Sequence, residues 1–183
     1  MKNLLFLFLT VFALNSCSNN DDNKPGTPKT ELEKLPPATQ TGANTAGCLV
    51  NGKAFLPKGF IPGTNPISYQ DGLNFSLFIG ERNNDILKSI GVFSSNQSLE
   101  VGIIYHLANN NNDDNSKYGI YSINAVPPPS PEYYTTNNII VGELKITHHD
   151  FNNAILSGTF WFDAVNSNGE KVEVREGRFD RHY

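Results

Sequence analysis

Cysteine, tryptophan and charge are scarce in this sequence. Its 183 residues hold two cysteines, one tryptophan and one methionine, and 17% of positions are charged. With only Cys17 and Cys48, no disulfide framework is possible, so stability must come from packing. No basic patch stands out and the formal net charge is −4, which argues against nucleic acid as a partner. After residue 14 no apolar run approaches the ~20 residues that span a bilayer. There is no Gly-rich phosphate loop and no Gly-x-Ser-x-Gly nucleophile turn. Beyond the first 17 residues nothing names a chemistry.

The opening stretch is the informative one. Lys2 precedes an apolar run over residues 4–14, broken only by Thr10, and Leu14-Asn15-Ser16-Cys17 follows. The run is too short for a mature membrane span and reads as a cleaved export signal. The four residues at its end resemble a lipobox, the pattern of bacterial lipoproteins. Residues 1–16 are then the signal peptide and Cys17 is the lipidated residue at the new N-terminus. Removing residues 1–16 from the 183 leaves 167, one domain by length. A lipidated cysteine usually carries more than one acyl chain, palmitate among the expected ones, as stable anchoring requires. The expected location is the outer membrane, with Asp21 and Asp22 resembling a signal for export to the cell surface. Cys48, left alone, reads as a small buried apolar residue.

Residues 17–46 read as a flexible tether. Asparagines, aspartates and prolines dominate, and apolar side chains are too few to bury a core. The domain is expected over residues 47–183. Asn51-Gly52 marks a tight hairpin, because both residues tolerate positive φ. Residues 58–72, rich in Gly and Pro, read as loop. Then alternation sets in: Leu73, Phe75, Leu77 and Ile79; Ile90 and Val92; Val101, Ile103, Tyr105 and Leu107; Leu144 and Ile146. The last hairpin is the clearest. Leu156, Gly158, Phe160, Phe162 and Ala164 point one way; Ser157, Thr159, Trp161 and Asp163 point the other. Residues 166–169 turn the chain, and a phase slip at Glu176-Gly177 predicts a bulge at Gly177. No segment has a helical period. The predicted class is all-β, an antiparallel sandwich or closed barrel of 8–10 short strands.

Two stretches carry a resemblance. Residues 35–53, from Leu35-Pro36-Pro37 to Asn51-Gly52-Lys53, resemble the start of an uncharacterised family of Bacteroidota lipoproteins. Residues 155–162, with Gly177-Arg178-Phe179-Asp180, resemble its end. Ala46 stands where such sequences often have an aromatic residue. The resemblance implies a lipoprotein and a β-rich fold. It implies no activity, and it supplies no catalytic residues.

Candidate chemistry is thin. His148-His149-Asp150 puts adjacent side chains on opposite faces of a strand, which does not suit one metal ion. Residues 109–115 offer hard oxygens but lack the glycine and distal glutamate of a calcium loop. No catalytic residue, metal site or cofactor is expected. Trp161 is more telling. It faces away from Phe160 and Phe162, so a sandwich would expose it beside polar groups, suited to stacking on a sugar or a protein. A covering loop over residues 127–134 is the plainer expectation. Tyr133 and Tyr134 are expected at the rim. The expected function is non-enzymatic: binding or interaction at the cell surface or periplasm, with the membrane held through the lipid and a glycan or envelope protein as partner. The alternative is a lipocalin-like carrier of a small apolar ligand inside a closed barrel. An envelope hydrolase ranks third.

Overall fold

The computed structural model describes residues 29–58, 67–108, 115–125 and 131–183. The expected signal peptide, Cys17, Asp21 and Asp22 lie outside the described residues, as do residues 109–114 and Pro127, Pro128 and Pro129.

A 3-10 turn, Leu32–Lys34, precedes eleven strands: β1 (Thr45–Val50), β2 (Lys53–Phe55), β3 (Ile67–Gln70), β4 (Asn74–Asn83), β5 (Ile86–Ser95), β6 (Ile104–Leu107), β7 (Lys117–Ala125), β8 (Glu132–Thr135), β9 (Gly142–Asp150), β10 (Ile155–Val165) and β11 (Lys171–His182). Every ladder between them is antiparallel. The all-β class is as the alternation predicts. Three details differ. Residues 67–70 form a strand inside the expected loop: Ile67 and Tyr69 are buried while Ser68 and Gln70 are exposed, but four residues amid breakers give a weak period. Glu132–Thr135, expected as loop, is also a strand. Val101 and Ile103 are exposed, because Gly102 turns the chain at φ 88° and β6 starts only at Ile104.

The strands form one sheet that folds over on itself. β10 is the branch point. One side pairs with β11 along its whole length. The other pairs with β9 from Ile155 to Phe162, then passes to β8 through the single pair Val165↔Thr135. One half therefore runs β6-β9-β10-β11-β1-β2 and the other β8-β7-β5-β4-β3. The halves lie face to face. Phe75 of β4 stands 5.9 Å from Phe179 of β11, and Phe55 of β2 stands 6.3 Å from Tyr121 of β7 (ring centroids). Across the far opening, among the described residues, a parallel bridge, Lys58↔Glu81, links the halves. The Lys58 N–H donates to Gly80 O at 3.0 Å, and the Arg82 N–H donates to Lys58 O at 2.8 Å. The sheet does not close into a barrel.

Two inner faces make one core. Phe75, Leu77, Ile79, Ile90 and Val92 meet Leu144, Ile146, Leu156, Phe162 and Val174, all buried. Each such side chain contributes about 1.5–3 kcal/mol by leaving water. Phe162 needs room from two glycines. A Cβ on Gly119 would lie 2.6 Å from its ring, and one on Gly142 would overlap its Cα and Cβ. Asn51 (φ 47°) and Gly52 (φ 75°) close the β1–β2 hairpin in the left-handed conformation, as their types predict.

The expected tether needs correction where it is described. Thr45 and Ala46 already belong to β1, and Leu35 is buried. Residues 39–43 wrap the Asp180 carboxylate. The N–H groups of Thr41 (3.0 Å), Gly42 (2.9 Å) and Ala43 (3.0 Å) and the Thr39 hydroxyl (2.7 Å) donate to it. Glu31 accepts from the Ala54 N–H at 2.8 Å. Polar composition alone reads as disorder. Here the polar backbone finds carboxylates from elsewhere in the chain instead of burying apolar surface.

Candidate functional site

Trp161 sits on the outer side of β9, β10 and β11. Pairing places Glu143 opposite Trp161, and Lys145 opposite Thr159, which in turn faces Arg178. The outer side chains surround a cleft of about 350 Å³, with Ile104 on its wall. A bulge in β11 shapes the wall opposite. Phe160 pairs with Gly177 and Phe162 with Val174, so Arg175 and Glu176 together face Trp161. Bulges re-aim side chains in this way. The residue with positive φ is Glu176 (55°), not the expected Gly177. Gly177 is required for another reason: a Cβ there would lie 2.5 Å from the Phe160 ring.

Trp161 is half-buried rather than exposed. Its Nε1–H donates to Glu143 Oε2 at 3.1 Å, and the Arg175 guanidinium lies over its ring, 5.5 Å from the centroid. Arg175 is itself held. Nη2 donates to Asp163 Oδ1 at 2.6 Å, and Nη1 donates to the carbonyls of Phe162 and Val174 at 3.1 and 2.9 Å. Lys171 Nζ reaches Asp163 Oδ2 at 2.8 Å. Burial pushes the Asp163 pKa up, but bonds from Lys171 and Arg175 outweigh it and hold the carboxyl below the usual range. Arg178 Nη2 donates to Glu176 Oε2 at 3.0 Å. Among the described residues Lys145 makes no ion pair, and it lines the cleft.

The structure does not bring Tyr133 or Tyr134 to this cleft. Tyr133 is exposed on β8, paired with Ser122. Tyr134 points inward, its ring 5.7 Å from Tyr121 and its hydroxyl donating to Glu132 at 2.6 Å. Adjacent strand residues face opposite sides, so the two cannot share one rim. His149 bonds Tyr183 Oη through Nε2 at 3.1 Å, while Asp150 accepts from the backbone of Asn152 and Asn153. Among the described residues no three His, Cys, Asp or Glu side chains converge to hold a metal ion. Cys48 is fully buried, and burial pushes its thiol well above the ordinary range, so the thiolate is not accessible. Sequence reasoning found Trp161 but not that Glu143 and Arg175 are its neighbours. Both depend on strand register and on the bulge, which alternation within one strand does not reveal.

The sequence model of one protein family, described as a domain of unknown function (DUF6252), matches residues 87–181, just over half of the chain. The chain belongs to that family. The DUF6252 match opens in β5 and ends in β11, so it includes every residue lining the Trp161 cleft. It also includes residues 155–162 and 177–180, which resemble the end of the lipoprotein family, whereas residues 35–53 lie before it. Neither a curated protein nor a solved structure matches the chain.

Proposed function

We propose that this DUF6252 protein is a non-enzymatic binding domain of the bacterial envelope, anchored in the outer membrane by a lipid on Cys17. Its Trp161 cleft docks an envelope protein. The lipobox-like Leu14-Asn15-Ser16-Cys17 and the resemblance to Bacteroidota lipoproteins support the anchor.

One observation carries the binding reading: Arg175, fixed by Asp163, stacks over a half-buried Trp161 in a cleft that presents both signs of charge. Tryptophan and arginine are the residue types that dominate protein interfaces, and a rigid pair loses little entropy on binding. Lys145 and Arg178 on one side and Glu143 and Glu176 on the other favour a surface of mixed charge over an apolar ligand. The acidic groups stabilise their neighbours: Glu143 holds the indole, Asp163 holds Arg175 and Lys171, and Glu176 holds Arg178. That pairing suits recognition better than acid–base work. The carrier alternative needs an interior, and Phe75, Phe162 and Phe179 fill the space between the halves.

Two measurements test the reading. Fatty-acid labelling of wild type and Cys17→Ser in a bacterial host tests the anchor: labelling is lost in the variant if the reading holds, and persistent labelling overturns it. Retention of purified envelope proteins on the immobilised full-length protein tests the cleft. Trp161→Ala and Lys145→Glu both weaken retention, and equal retention overturns the docking assignment.

A further inference from the structure

The outer side of the other half-sheet differs in kind. Where β9, β10 and β11 carry ion pairs, β4, β5 and β7 carry rings and hydroxyls. Phe78 stands 5.1 Å from Phe93, and Phe93 is near-parallel to Tyr118 at 4.6 Å (20° between planes). The three rings come from three neighbouring strands, since Phe93 pairs with Tyr118 and Phe78 pairs with Gly91. Gly91 makes the arrangement possible. A Cβ there would lie 2.6 Å from the Phe93 ring, so the ring lies down on the sheet instead of standing off it.

Beside these rings is a pocket of about 360 Å³. Phe93 and Tyr118 form its apolar wall. Its polar wall is formed by Asn74, Ser76, Ser95 and Ser116. Among the described residues no charged side chain lines it.

We propose that this pocket, with the Phe93 and Tyr118 rings, binds a sugar unit of a neutral glycan. The chemistry selects the class. Among the described residues an anionic or cationic ligand finds no opposite charge to offset its desolvation. A purely apolar ligand leaves Asn74, Ser76, Ser95 and Ser116 without partners. A neutral sugar ring offers C–H faces to the aromatic wall and hydroxyls to the polar wall. Tyr133, 52% exposed on β8, stands on the same outer side beyond Ser122 and extends the surface for a second unit of the chain. The proposal shares with the proposed function the reading of a binding domain, but it does not depend on the Trp161 cleft.

The test is affinity electrophoresis of the full-length protein in detergent through gels holding dextran, mannan, xylan or starch, with alginate and heparin as acidic comparisons. Retardation by at least one neutral polysaccharide is expected, at low and high salt alike. Phe93→Leu, which keeps the apolar volume and loses the ring, weakens it at least about tenfold, and so does Ser95→Glu. Trp161→Ala leaves it unchanged. Circular dichroism confirms that each variant is folded. The proposal is overturned if no neutral polysaccharide retards the protein, if only the acidic ones do so and salt abolishes it, or if Phe93→Leu and Ser95→Glu bind like wild type. Loss of envelope-protein retention in Trp161→Ala without any glycan retardation sinks this proposal alone. Glycan retardation without envelope-protein retention sinks only the docking role of the cleft.

Discussion

Ser157 Oγ donates a 2.8 Å hydrogen bond to Asp180 Oδ1 across the β10–β11 pair, where both residues are buried. Ser157 lies on the outer side of β10, yet it is fully covered, because residues 39–43 fold over it to reach the same carboxylate. One aspartate thus fastens the segment before β1 to the last strand.

Replacing that carboxylate therefore affects the whole domain. Asp180→Asn keeps one acceptor oxygen and turns an amide NH₂ toward groups that are themselves donors. We expect a loss of about 2–4 kcal/mol, read as a lower urea midpoint with an unchanged slope. Thr39→Val removes one donor only and costs about 1 kcal/mol. If Asp180→Asn melts like wild type, the collar is not a stabilising contact.

The same group sets a pH dependence. Burial raises the Asp180 pKa, but bonds from Ala43, Thr39, Thr41 and Ser157 outweigh it and hold the carboxyl well below the usual carboxylate range. A depressed folded pKa means that this stabilisation is fully present above the unfolded value of about 3.9 and fades as pH falls below it. The stability gap between wild type and Asp180→Asn is widest near neutrality and narrows below about pH 4. Urea titrations at neutral and acid pH measure the gap. A gap that widens in acid refutes the assignment.

Gly119 faces Phe162 from the opposite half-sheet. Gly119→Ala forces a methyl group against that ring and is expected to cost about 1–3 kcal/mol. Adding Phe162→Leu opens space, so the double variant loses less than the sum of the singles. Additive losses in a double-mutant cycle argue against contact between the two positions.

Glu176 occupies the left-handed region at φ 55°, which disfavours side chains bearing a Cβ. Glu176→Gly relieves that strain but gives up the exposed Glu176–Arg178 pair, whose worth is small. We expect unchanged stability or a gain of up to about 1 kcal/mol by thermal melting. A clear loss shows that the carboxylate, not the backbone, holds the bulge.

Trp161 is the sole tryptophan, so its emission reports on the cleft directly. Arg175→Ala uncovers the ring and is expected to red-shift the emission and raise acrylamide quenching. The stability cost is about 1 kcal/mol or less, as for a partly exposed cation–π contact. Unchanged quenching means that Arg175 does not cover the indole in solution.

Much of the fold is legible in the sequence because burial writes a period of two. Leu156 to Ala164 alternate as read, and the slip near Gly177 marks a real bulge in β11. Short strands defeat the method. Residues 67–70 and 132–135 show one alternation each, amid prolines and glycines. Residues 39–43 defeat it differently, since their order comes from a carboxylate 137 or more positions away. The candidate site was half legible. Trp161 announces itself by type and phase, whereas Arg175 and Glu143 become its neighbours only through register. The rings of Phe78, Phe93 and Tyr118 are not legible as a set, because what unites them is pairing across β4, β5 and β7.

β1 pairs with β11, Thr45 against Asp180, so the first strand of the sheet finds its second neighbour only in the last. Until β11 exists, β1 and β2 are an isolated hairpin, which is marginal in water. A chain emerging from its N-terminus therefore postpones completion of its sheet until the final dozen residues arrive. Pairings this distant in sequence make for slow folding. During that wait its apolar strands are open to any chaperone that meets them.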